Sequence, residues 1–137
     1  MTWVRNFETA HPRRFDAYMI YSRERRCIVD YLGTHQHLAV DLALSADARG
    51  GLCLHSGKQR FYEGFFAFSF PMIFSGVADV CEWFDDTDQN FHIDVNVHND
   101  IWGPLFGYTG SFSAEWIPIG DGEIPADLVP ARYERRE

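Results

Sequence analysis

Apolar and polar residues alternate with a period of two through much of this chain, the pattern of strands that bury one face. It is plainest in HLAVDLALS, where Leu38, Val40, Leu42 and Leu44 share one face and His37, Ala39, Asp41, Ala43 and Ser45 the other. ADARGG then supplies turn chemistry, and GLCLHS resumes the alternation with Leu52 and Leu54, which predicts a hairpin through residues 46 to 51. A second hairpin is read from VADVCEWF, the turn DDTDQN and FHIDVNVH, with Phe91, Ile93, Val95 and Val97 on one side and His92, Asp94, Asn96 and His98 on the other. Earlier strands are expected at TWVRNF, FDAYMIYS and RCIVDYLG. A late one is expected at YTGSFSAEWIP, with Tyr108, Gly110, Phe112, Ala114 and Trp116 on one face.

No amphipathic helix of useful length is visible; PMIFSG, opened by Pro71, is read as one helical turn at most. From Pro118 the periodicity weakens and prolines recur at 125 and 130. The expected organisation is one β domain over 1–117 and a loosely held tail over 118–137. Sequential short strands between turns predict an all-β antiparallel meander forming a bent sheet or a partly open barrel. Its first strand would begin at Thr2, leaving an edge that another chain or the tail must cover.

Composition narrows the function classes. The net charge is −8, and no run of Lys or Arg is long enough to neutralise a phosphate backbone, so nucleic acid is not an expected partner. No apolar run approaches the ~20 residues of a membrane span, and MTWVRNFETAHPRR lacks the plan of a signal peptide, which makes the cytoplasm the default. The three cysteines, Cys27, Cys53 and Cys81, are odd in number and widely spaced, and they read as free, mostly buried thiols in a reducing compartment.

Motifs for chemistry are sparse. Imidazoles at His35 and His37, with Asp30 and Asp41 nearby, want a third ligand that nothing nominates, so they read as solvent-facing. Asp86, Asp88 and Asn90 open like a calcium loop, yet the sixth position is Phe91 and the twelfth Val97, where glycine and glutamate are needed. The polar row His92, Asp94, Asn96, His98 becomes a site only if that face turns inward, and otherwise it is a solvated strand face. No serine has a nucleophile-elbow context, and no glycine-rich loop leads into a helix. No metal, cofactor or catalytic residue is expected.

The aromatic residues remain. Seven of them crowd residues 60–74, namely Phe61, Tyr62, Phe65, Phe66, Phe68, Phe70 and Phe74, and aromatics make up 16% of the chain. Such bulk either fills a core or lines a pocket, and curled antiparallel sheets hold apolar ligands in their mouths. Phe61, Phe65 and Phe74 are assigned to the core, with a bulge expected at Gly64. The expected ligand face comprises Tyr62, Phe66, Phe68, Glu82, Trp83, Tyr108, Phe112 and Trp116. The leading expectation is non-catalytic binding of a small apolar or amphipathic molecule there. The alternative is an interaction module that docks on a partner domain or pairs with itself. A third reading makes Glu82 or Glu115 an acid whose neighbouring Trp raises its pKa.

Read in order, TWVRNF, RRFDAYMIYS, IVDYLGTHQHLAVDL, GGLCLHSGKQRFYEG, FSGVADVCEWFDD and GPLFGYTGSFSAEW resemble the bacterial domain-of-unknown-function family 4166 over roughly residues 2 to 117. The Glu82-Trp83 pair and the Gly107-Tyr108-x-Gly110 element are its most recognisable parts. The resemblance implies no assigned function and no catalytic residues. It also implies relatives that stand alone or follow a saccharopine-dehydrogenase-like domain, which suggests a partner of that kind. Family members begin earlier, with a helix and further strands before the W-x-R-x-F strand. On that comparison this chain is either N-terminally truncated or pairs its open edge with a second copy.

Overall fold

The computed structural model describes residues 1–33, 35–63, 66–70, 75–120, 122 and 124–129, with the side chains of 63, 66, 67, 69, 70 and 127 set aside. Over these residues the chain is an all-β antiparallel meander, as the alternation predicts. The strands are β1 (Thr2–Phe7), β2 (Arg13–Ser22), β3 (Cys27–Leu32), β4 (Leu38–Ala46), β5 (Leu52–Glu63), β6 (Phe66–Phe70), β7 (Val77–Asp85), β8 (Asn90–Asn99) and β9 (Gly103–Phe112). Their hydrogen-bonded order is β1-β2-β3-β4-β5-β7-β8-β9, with β6 paired to β5 off that path. Among the described residues there is no α-helix, only a 3₁₀ turn at Ala126–Leu128. The expected bulge at Gly64, the expected helical turn beginning at Pro71, and Phe65 and Phe74 all lie outside the described residues.

Turn chemistry accounts for where the strands stop. Between β4 and β5 the Asp47 carboxylate accepts from the Arg49 and Gly51 backbone N–H groups at 2.9 and 2.8 Å, while Gly50 supplies the left-handed residue at φ +80°. The Gly51 N–H bond above all, with the Arg49 side chain, holds the Asp47 carboxyl below its ordinary pKa. Between β7 and β8, Asp85 accepts from Thr87 N–H at 2.8 Å and Asp88 from Asn90 N–H at 3.1 Å, so DDTDQN is the hairpin turn expected of it. Between β8 and β9, buried Asn99 accepts from the N–H groups of Ile101 and Trp102 at 2.9 and 3.0 Å. That turn starts β9 at Gly103, so the last strand lies earlier than its sequence pattern suggests and ends at Phe112. Ala114 and Trp116 fall beyond it, in an exposed stretch without regular structure.

The chain divides into two compact units, Met1–Asp41 with Gln59–Ser69 and Pro118–Glu137, and Leu42–Lys58 with Phe70–Ile117. In the first, β1, β2 and β3 pair in register, with Thr2 opposite Tyr18 and Tyr18 opposite Tyr31. Its core is Tyr18, Val29, Tyr31 and Ala39, with Cys27 and Tyr62 packed against them. The 3₁₀ turn of the tail lies against β1. In the second, β7 pairs with β5, β8 with β7 and β9 with β8.

One expectation about the cysteines is overturned. Cys53 on β5 stands directly opposite Cys81 on β7, 4.1 Å apart at Cα, and the two form a disulfide; Cys27 is the free thiol. Antiparallel partners on one face bring their Cβ atoms within bonding reach, which the separation of 28 residues in sequence hides. The cysteine argument for a reducing compartment falls with it.

Candidate functional site

Register decides which side chains meet, because directly opposed residues of antiparallel strands share a face. In the second unit one face runs in rows across the strands. Phe84, Phe91 and Phe112 form one row, and Leu52, Glu82, Ile93 and Gly110 the next. Leu54, Val80, Val95 and Tyr108 follow, and the cross-strand neighbours Ala78, Val97 and Phe106 end the series. The rings touch along it: Phe84 and Phe91 edge-on at 5.0 Å, Phe91 and Phe112 stacked at 5.3 Å, Phe106 and Tyr108 tilted at 5.6 Å.

This apolar face is only partly closed. Val95 is buried at its centre, yet Leu52, Phe84, Phe106, Tyr108 and Phe112 stay 50, 44, 60, 40 and 39% exposed. Gly110 leaves a gap between Tyr108 and Phe112, since a Cβ built there would meet nothing within 4 Å. Glu82 lies in the same row as that gap and is the one charged side chain that β7, β8 and β9 place on this face.

The opposite face is polar. Cys53, His55, Asp79, Cys81 and Trp83 lie there with the expected row His92, Asp94, Asn96 and His98, of which Asp94 and Asn96 are exposed. Asp79 lies 2.6 Å from Nδ1 of His55 and 3.7 Å from Nδ1 of His98. Trp83 stacks on His92 at 5.5 Å, and the Arg49 guanidinium lies 3.9 Å over its ring. Asp85, Asp88 and His92 bring three potential ligand atoms within 4.8 Å of one another. Asp85 and Asp88 are both engaged in turn bonds, and Asp88 Oδ2 also lies 2.9 Å from Nε2 of His92; the bonds from Thr87 hold the Asp85 carboxyl below its ordinary pKa.

The residues expected to form one ligand face are therefore distributed. Glu82, Tyr108 and Phe112 share the apolar face, while Trp83 projects from the other side because consecutive strand residues point oppositely. Glu82 and Trp83 therefore do not share a face. Trp116 is 93% exposed beyond β9, and Glu115 beside it is exposed as well. Tyr62 belongs to the first unit, half-buried on its core, its N–H donating to the His37 carbonyl at 2.7 Å. Phe68 is 49% exposed, with its ring 5.6 Å from that of Phe61. The side chain of Phe66 lies outside the described residues. Sequence reasoning left Phe84, Phe91 and Phe106 out of the candidate face. The alternation of FHIDVNVH carried the signal for Phe91, whereas Phe84 and Phe106 needed the register.

In the first unit, Asp41 accepts from Arg60 at 2.7 Å, with Arg25 at 3.7 Å. Burial works against the charge on Arg60, but the bonds to Asp41 and Tyr62 outweigh it and raise its pKa. Burial, and then Asp41, push the Cys27 thiol up, away from the thiolate that a nucleophile needs. His35 and His37 stack on one another at 5.6 Å.

Comparison with known proteins supplies a family and no activity. No solved structure matches the chain. An uncharacterised protein of Bacillus subtilis (strain 168), YndH, is 37% identical over 114 residues, which is 82% of this chain and 56% of YndH. The chain thus spans about half the length of that relative. Among the described residues no helix is long and apolar enough to cross a membrane. A family model described as a domain of unknown function, DUF4166, matches residues 1–112, and the chain belongs to that family.

Proposed function

We propose that the apolar face of the second unit binds a small amphipathic molecule, without catalysis. The observation that carries this reading is the gap at Gly110, bounded along β9 by the exposed rings of Tyr108 and Phe112 and bordered across the strand by Ile93. Tyr108 and Phe112, four apart on the strand, stand about 13 Å apart along it, wide enough for an alkyl chain or a single ring. Contact there removes apolar area from water on both partners. Glu82, in the same row, supplies a polar group that can orient the other end of the molecule. The polar face opposite, with its exposed Asp94 and Asn96, offers no comparable apolar surface.

The test is fluorescence titration with a dansyl-labelled alkylamine and a dansyl-labelled fatty acid. Saturable binding with a blue-shifted emission is expected, and Gly110→Leu, which fills the gap, should weaken it about tenfold, equivalent to ~1.4 kcal/mol. Neither probe binding, or Gly110→Leu binding as the wild type does, sinks the proposal. Trp83→Phe, on the opposite face, should leave the affinity unchanged.

A further inference from the structure

β9 is the last strand in the hydrogen-bonded order, and its outer edge pairs with no described residue. Alternate N–H and C=O groups of this ten-residue strand therefore point outward, and Pro104 is the only residue in it without an N–H to offer. Soluble proteins usually blunt such an edge with charge, repeated proline or a cover. GPLFGYTGSF contains no Lys, Arg, Asp or Glu, although the chain as a whole carries −8. The other terminal strand differs: β1 carries Arg5 and has the 3₁₀ turn of the tail against it.

We infer that β9 pairs antiparallel with β9 of a second copy of this chain. Three properties of the strand select that occupant. Uncharged on both faces, it meets its own copy without like-charge contact and offers no complement to a charged partner. Its sequence alternates ring and small residue, with Phe106, Tyr108, Gly110 and Phe112 on one face and Gly107, Thr109 and Ser111 on the other. A two-fold axis normal to the sheet keeps each set on its own side, so rings extend the apolar face and small residues extend the polar one.

Exposed area is the third. Leu105, Phe106, Tyr108 and Phe112 are 55, 60, 40 and 39% exposed, and Trp102 in the turn before β9 is 70% exposed. At ~200 Å² for a large side chain, these present roughly 500 Å² of apolar surface per copy. Edge pairing covers the strand backbone and the flanks of these side chains turned toward the partner, and their outer faces join the extended apolar sheet. An isologous pairing uses up both edges, so assembly stops at two.

Sedimentation velocity across micromolar concentrations tests this on the full chain, independently of any ligand. The wild type should sediment as a concentration-dependent dimer. Tyr108→Lys and Phe106→Lys, each placing a charge at an exposed position of β9, should sediment as monomers while keeping the wild-type circular dichroism. A monomeric wild type, an assembly larger than two, or a dimer that survives both folded variants overturns the inference. Thr109→Pro deletes an N–H from the same strand without adding charge. It should also yield monomer if its spectrum is native, and a native, dimeric Thr109→Pro counts against edge pairing.

Discussion

Cys53 and Cys81 face each other across β5 and β7 and are joined by a disulfide that closes 28 residues, including β6. The covalent link limits how far the unfolded chain can spread, which for a loop of this length is worth about 3–4 kcal/mol. Reaction of the native protein with an aromatic disulfide reagent should therefore report one thiol, Cys27, and the reduced, unfolded chain three. Cys81→Ser should lower the free energy of unfolding by about 3 kcal/mol in urea, and a reductant should do the same to the wild type. Three titratable thiols in native protein purified without reductant would contradict the bond.

The same pair marks the limit of what the sequence discloses. Alternation alone located β4, β7, β8 and the turn between the last two, because a half-buried strand imprints its two faces directly on residue order. Which strands become neighbours is a different matter. β5 lies beside β7 because β6 is off the path, and nothing local to Cys53 or Cys81 records that. Glu82 and Trp83 show the converse: adjacent letters suggested a shared environment, while the period of two sends them to opposite faces. Tyr108 and Phe112 were legible as one face since they lie four apart on one strand. Their association with Phe84 and Phe91 needed the register of three strands.

Asp30 on β3 is 6% exposed, and its Oδ1 finds no hydrogen-bond donor. Burial pushes its pKa up to about 6, against the pull of the Arg5 charge and of the Tyr18 backbone N–H. An unfolded Asp titrates near ~3.9. Below that value both states are protonated and the group is neutral in its effect. As pH rises the unfolded chain ionises first, so the native state loses stability progressively until about pH 6, by roughly 3 kcal/mol in all. Asp30→Asn removes the titration and keeps an acceptor for Tyr18 N–H. Urea unfolding from pH 4 to 7 should show the variant gaining on the wild type as pH rises, and parallel profiles would refute a raised pKa.

Two glycines should respond in opposite ways to the same added methyl group. At Gly51, on the turn into β5, a Cβ would sit 2.8 Å from the carbonyl oxygen of Glu82 and 3.0 Å from Cβ of Trp83. Both atoms are fixed by the β7 ladder, so relief requires β5 and β7 to separate where Leu52 pairs with Glu82, at an expected cost of about 1–3 kcal/mol. At Gly110 the new atom meets nothing within 4 Å, and an interior strand position gains from losing glycine's conformational freedom. Gly110→Ala should leave stability unchanged or raise it by about 0.5 kcal/mol, while Gly51→Ala lowers the melting temperature by several degrees. Equal losses at both positions would mean that the space between Tyr108 and Phe112 is already filled, which would remove the gap on which ligand binding is argued.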